Sequence, residues 1–268
     1  MNSNIRDYRT LTESEIEEWE KLKQEEVVGE VGSLKIRRNL FSKYSEAVRR
    51  FIHIFPNHYL DIMELAGTEL LNRKITEFSE LLEKPSVTER EILNHINQES
   101  RLFIIGSLLK KYSSFGHHES YIFREFPLGT SYRADYLLAG KNSDGWHFVF
   151  VELEAPYGNI TLADGGLGQS FRKGMSQIEN WDTWLESNFS HLSEVFCKYK
   201  KKNELLPNEF CRLDKTRINC VVVAGRRKDF SDETYRIQRK LKRNEQVYLV
   251  HYDNIIDAVN MLVGSNTY

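Results

Sequence analysis

The chain has 268 residues, 40% of them hydrophobic and 28% charged, with a formal net charge of −2. That is apolar side chain enough for one large domain, or a domain with an extension, and too much for a disordered polymer. The charge balance excludes a globally basic nucleic-acid coat while leaving a local patch open. The three cysteines, Cys197, Cys211 and Cys220, lack the CxxC spacing of a zinc knuckle.

In chain order, LTESEIEEWEKLKQEEV (11–27) predicts a charged amphipathic helix capped by Thr12 or Ser14, broken by GEVGS. Residues 41–54 predict a second helix, and Pro56-Asn57 a break. Residues 59–84 carry Leu60, Met63, Leu70, Leu71, Ile75, Phe78, Leu81 and Leu82 at helical spacing. From 86 to 112 the chain opens like another helix, with capping-box spacing at Ser86/Glu89 and at Thr88/Glu91. Three β-rich runs follow, YIFREFPLG (121–129), YRADYLLAG (132–140) and WHFVFVELEAP (146–156), as in a meander. After a glycine-bearing loop, FRKGMSQIENWDTWLESN has helical spacing. RINCVVVAGRR (217–227) reads as a buried strand, DETYRIQRKLKRN as a helix, QVYLVHYD as a last strand and NIIDAVNMLV as a closing helix. This order predicts an α/β fold whose mixed sheet carries helices on its faces and is entered by a right-handed crossover. Residues 1–85 are expected to form a helical extension, for oligomerisation or regulation, and residues 86–268 the main domain.

VELEAP ends an otherwise apolar strand with two acids. Alternation puts Phe148, Phe150, Glu152 and Glu154 on one face, with the two glutamate Cα atoms roughly 7 Å apart. Two anions so placed repel unless solvent, a proton or a cation intervenes. Asp135, on the preceding strand, can converge with Glu152, and three carboxylates on one sheet face suit Mg²⁺ or Mn²⁺. A salt bridge from Asp135 to Arg133 or Arg124 is the structural alternative.

DYLL on one strand, VELEAP on the next and a helix bearing GMSQIENWDTWL together resemble the PD-(D/E)XK nuclease superfamily, and more narrowly the Shedu antiphage nuclease domain. The EFPLG…YRAD entry, the QIxxW helix and the late VVVAGRR strand carry the narrower likeness, over roughly residues 75–265. The resemblance implies a restriction-endonuclease-like core and an antiphage, metal-dependent DNA endonuclease using Mg²⁺ or Mn²⁺. It implies Asp135 and Glu152 as metal ligands, the Leu153 carbonyl as a further ligand and Gln177 as an orienting residue. Glu89, or else Glu91, would be the glutamate of the first helix. Glu154 stands where the motif has a lysine, so a relocated cation (Lys173, Arg172 or Arg133) takes that role, Glu154 acts as base or second-metal ligand, or the chain is a catalytically silent DNA-binding or regulatory module. A third reading is an oligomerising protein that does not touch nucleic acid. Homo-oligomers, a phage-derived trigger and phage or plasmid DNA are the implied partners.

Elsewhere, KYKKK (198–202) and RRK (226–228) read as phosphate contacts or as solvated charge, and HHE (117–119) as a polar turn. GGLGQSFRKG lacks Walker spacing and reads as a mobile loop beside the site rather than a phosphate loop. The longest apolar runs are too short to cross a bilayer, and MNSNIRDYRT has no apolar targeting core, so a cytoplasmic location without membrane contact is expected.

Overall fold

Thr12 opens the first helix, α1 (Glu13–Glu26), through a capping box with Glu15. The computed structural model describes residues 6–31, 34–98, 100–113 and 118–268; His117 of the HHE run lies outside them. Where only a helix break was expected, β1 (Val27–Val31) and β2 (Leu34–Arg37) form an antiparallel hairpin. Its β-branched valines favour extended backbone, and Gly29 absorbs a register irregularity after Val27. Helix α2 (Glu46–Phe51) is shorter than expected: Ser45 caps it, so it starts only there. Leu22, Leu40, Tyr44 and Val48 make a small core of their own.

The helix expected over 59–84 is interrupted. Gly67 separates a 3-10 turn, Ile62–Ala66, from α3 (Thr68–Leu82), whose Leu71, Ile75, Phe78 and Leu82 bury one stripe. The helix expected over 86–112 is also two: α4 (Glu89–Ile96) and α5 (Phe103–Ser113). The polar residues between them include Ser100 in the left-handed region, at φ 59°.

Strands β3 (Glu119–Leu128), β4 (Tyr132–Asn142) and β5 (Gly145–Leu153) form the meander. Helix α6 (Gln169–Tyr199) then crosses over, well beyond the segment with obvious periodicity, to β6 (Ile218–Val223), parallel to β5. Helix α7 (Asp232–Glu245), β7 (Val247–Val250) and α8 (Tyr252–Asn260) complete a sheet ordered β3-β4-β5-β6-β7. Val149, Val151 and Leu153 face a core shared with α3, α4, α5 and α8; Phe148, Phe150 and Val222 face α6.

The outer border of β3 is not bare. Tyr59 bridges Tyr121 in antiparallel fashion, Leu60 N–H donates to Ser120 O at 3.0 Å, and Ile54 N–H donates to the Tyr121 hydroxyl at 3.0 Å. The segment that follows α2 is thereby fastened along the sheet. Among the described residues no helix is long and apolar enough to cross a membrane.

Candidate active site

Alternation slips where β3 and β4 approach the site. Phe123 and Phe126 lie in the same core, as do Leu137 and Ala134, three residues apart instead of two. Arg124 pairs with Tyr136 and Phe126 with Ala134, flanking Glu125, which takes the left-handed conformation at φ 46°. The ladder between β4 and β5 ends at Tyr136 and Val151. Beyond it Asp135 substitutes a side-chain acceptor: Leu153 N–H donates to Asp135 Oδ2 at 2.7 Å. Asp135 is therefore placed between Glu152 and Glu154 in the chain direction, and pairs with neither Arg133 nor Arg124. Arg133 instead reaches Glu125 at 3.2 Å, and Arg124 donates to the Asn97 carbonyl.

Glu152 is 6% exposed and Glu154 2%. On β6 the partner of Glu152 is Val222; Glu154 N–H donates to Val223 O at 2.8 Å, which carries the parallel pairing one residue past the strand. The Tyr252 hydroxyl donates to Glu154 O at 2.7 Å from the opposite layer. Both glutamates are thus fixed through their backbone at the carboxyl ends of parallel strands, the usual place for a site in such sheets. Glu152 Oε2 and Glu154 Oε1 are buried without a hydrogen-bond partner.

Helix α6 supplies the cation. Lys173 Nζ lies 2.8 Å from Glu154 Oε2 and 3.5 Å from Glu89 Oε2. It can do so because the next residue is Gly174: a Cβ there would stand 2.4 Å from Val222 Cγ1 and 3.5 Å from Glu154 Cγ. Glycine within a helix weakens it by about 1 kcal/mol relative to alanine, a cost accepted here for close approach to the sheet. Gln177 is half-buried one turn further along α6, on the side that bears Lys173. Arg172 is exposed.

Of the two first-helix acids, Glu89 is the one brought to Lys173. Thr88 and Glu91 form the capping box of α4, so the Glu91 carboxylate is taken by the Thr88 N–H and hydroxyl, both at 2.8 Å. Glu89, first residue of α4, is left to meet Lys173. Leu153 presents a fully buried side chain and gives its N–H to Asp135.

Burial raises the Asp135 and Glu152 carboxyls. The Leu153 N–H opposes the rise at Asp135, and neighbouring carboxylates reinforce it at both. Burial also raises Glu154, against the pull of Lys173. Burial lowers Lys173, but Glu154 and Glu89 raise it on balance. Among the described residues no three His, Cys, Asp or Glu side chains stand close enough to hold a metal ion as they are. The donor set nonetheless suits a hard cation: acidic oxygens, two of them orphaned, in a setting that penalises their charge.

Three residues of the basic runs are engaged within the fold. Arg226 donates to both oxygens of Asp253, to Leu82 O, to Tyr157 Oη and to Glu83, tying the end of α3 to α8. Arg227 pairs with Asp257 at 2.7 Å. Lys201 is buried, donating to Phe51 O. The glycine loop before α6 is pinned by Gly168 N–H to Ile160 O and Leu162 N–H to Gly166 O. Neither Lys173 as partner of Glu154 nor the kink at Glu125 is marked by any local spacing.

No curated protein matches the chain. The family described as Shedu protein SduA, C-terminal, matches residues 86–256. That span, more than half of the chain, contains the meander, both glutamates, Glu89 and the lysine-bearing helix, and the chain therefore belongs to the Shedu family of antiphage defence proteins.

Proposed function

We propose that the chain is a DNA endonuclease of the PD-(D/E)XK type, dependent on Mg²⁺ or Mn²⁺, acting on phage or plasmid DNA in defence. The observation that carries this reading is the pair of buried, unpartnered carboxylate oxygens on Glu152 and Glu154, beside Asp135 at the carboxyl edge of the sheet. A structural role alone would leave two anions buried at a cost that one lysine offsets only for Glu154.

In this reading Asp135, Glu152 and the Leu153 carbonyl hold the cation, whose contribution is Lewis-acid stabilisation of developing phosphate charge and activation of water. Lys173 supplies from a helix the positive charge that the motif normally carries on the strand. Its ammonium, held by Glu154, stands ready to stabilise an anionic phosphate oxygen as charge builds. Glu154 keeps that ammonium charged and in place, and accepts a proton from water if it is displaced from it. Gln177, one turn on, orients the substrate phosphate or water. Residues 1–85 restrain the site and support self-association; Ile16, Val28 and Ile36 are large apolar side chains left exposed there.

A plasmid-nicking assay with Mg²⁺ or Mn²⁺ tests the reading. Wild type is expected to nick, and Asp135→Asn and Glu152→Gln to lose nicking and Mn²⁺ binding by calorimetry together. Wild-type protein that binds DNA but cleaves nothing with either metal moves the assignment to a silent binding module, the reading favoured by a glutamate in the lysine position.

A further inference from the structure

A cavity of about 610 Å³ lies between the segment ahead of α3 and the family domain. Its lining combines apolar side chains, Leu60, Met63, Leu102 and Ile122, with the guanidinium groups of Arg6, Arg49, Arg50 and Arg124. The acids on its wall are already matched. Asp61 lies 2.9 Å from Arg49, while Glu46 and Glu64 lie 3.1 and 3.6 Å from Arg50. Arg6 and Arg50 both sit over the Tyr8 ring, at 5.4 and 5.1 Å from its centroid. Arg124 differs: it is exposed, lines the cavity, and among the described residues donates to the backbone carbonyl of Asn97 alone, at 3.2 Å. Ser100, a non-glycine residue in the left-handed region, also lines it; such conformations gather at ligand sites. Apolar side chains beside an exposed guanidinium, in a volume typical of small-molecule sites, fit a planar heterocycle bearing a phosphate.

We propose that this cavity binds a small organic phosphate of mononucleotide size, with the phosphate on Arg124. The site communicates with the carboxylates. Asn97, which lines the cavity, caps α4 and accepts from the Tyr136 hydroxyl at 3.1 Å. Tyr136 follows Asp135, and α4 begins at Glu89. A ligand that draws Arg124 away from Asn97 therefore acts on the helix that delivers Glu89 to Lys173. The binding itself is independent of whether the carboxylates support cleavage.

The test uses the full chain, with the four ribonucleoside 5′-monophosphates, the matching nucleosides and inorganic phosphate as probes. At least one monophosphate is expected to raise the melting temperature saturably, and its nucleoside and inorganic phosphate to bind more weakly. Arg124→Ala, at an exposed position, is expected to fold and to bind that monophosphate roughly tenfold or more weakly, the loss of one charge-assisted hydrogen bond. Hydrogen exchange in the last turn of α4 is expected to quicken with the ligand bound, because the Asn97 carbonyl loses its donor. No shift with any of the four monophosphates, or equal binding by Arg124→Ala, overturns the site. Binding without any change in α4 exchange overturns the link to the carboxylates.

Discussion

Glu152 and Glu154 stand two residues apart on one strand and are held in different ways. Glu154 has Lys173; Glu152 has an orphaned oxygen and acidic neighbours. Glu152→Gln therefore removes a liability from the metal-free protein. Its melting temperature at pH 8 in EDTA is expected to equal or exceed wild type, while Mn²⁺ binding disappears; a clear fall would mean that the carboxylate has a structural partner. The pH dependence follows from the same cause. A carboxyl whose folded-state pKa lies above its unfolded value holds its proton more tightly when native, so stability falls as pH climbs above about 4, through the raised values of Asp135 and Glu152. Thermal melts in EDTA should show that fall, and Mn²⁺ should reverse it at high pH. Glu152→Gln should flatten the slope. Lys173→Met strands Glu154, at about 1–2 kcal/mol because Glu154 takes up a proton instead of staying charged. The exchange Glu154→Lys with Lys173→Glu restores an ion pair of reversed polarity and the usual motif lysine. Nicking that returns in the double variant and is absent from Lys173→Met would identify the ammonium, not its address, as the requirement.

Helix α6 is the element that makes the site possible, and Gly174 is where it can be broken. Gly174→Val drives two methyl groups toward Val222, and overpacking of that kind costs about 1–3 kcal/mol. The variant is expected to melt lower and to lose Mn²⁺ affinity as Lys173 retreats; unchanged affinity would show that α6 can shift without moving the lysine. The strand pattern, the order of elements and the two acids of VELEAP were legible in the chain because each rests on local periodicity. The split between α4 and α5 was not, since Ile92, Ile96, Ile104 and Leu108 keep a helical rhythm across the break. The β1–β2 hairpin hid behind glycines that also read as a plain stop. Lys173 could be named as one of three possible cations, but choosing it required the packing of Gly174 on β6, a contact between segments far apart in sequence. Thr88 and Ser86 offered two equivalent capping boxes on paper; only the backbone shows that Glu91 is consumed and Glu89 spared.

At the scale of the whole molecule, the family match begins at Ser86, but the core does not. Leu65, Leu71, Ile75, Phe78 and Leu82 all lie ahead of that residue and pack with α5, α8 and the sheet. Truncating one buried leucine or phenylalanine to alanine costs about 2–5 kcal/mol, so losing all five removes stability on the scale of the roughly 5–15 kcal/mol that hold an ordinary domain together. A chain beginning at Ser86 is expected to show no cooperative melt by circular dichroism. A chain beginning near Ile52 keeps these residues and Phe55 and is expected to fold. Light scattering on that shorter chain then asks whether α1, the hairpin and α2 carry self-association, through a fall in mass relative to the full chain.

The strip of chain lying along β3 adds a condition to any such truncation. Tyr59 and Leu60 occupy backbone positions that would otherwise face solvent as an open sheet border, and Ile54 N–H is tied to the Tyr121 hydroxyl beside them. A border of that kind is a template on which another polypeptide can add a strand, and natural proteins cover it, bend it or charge it. Cutting downstream of Leu60 would expose it and create sticky, strand-swapped aggregates. The same strip therefore guards the sheet border, and its loss, rather than any gain of function, would explain oligomers of a chain cut downstream of Leu60.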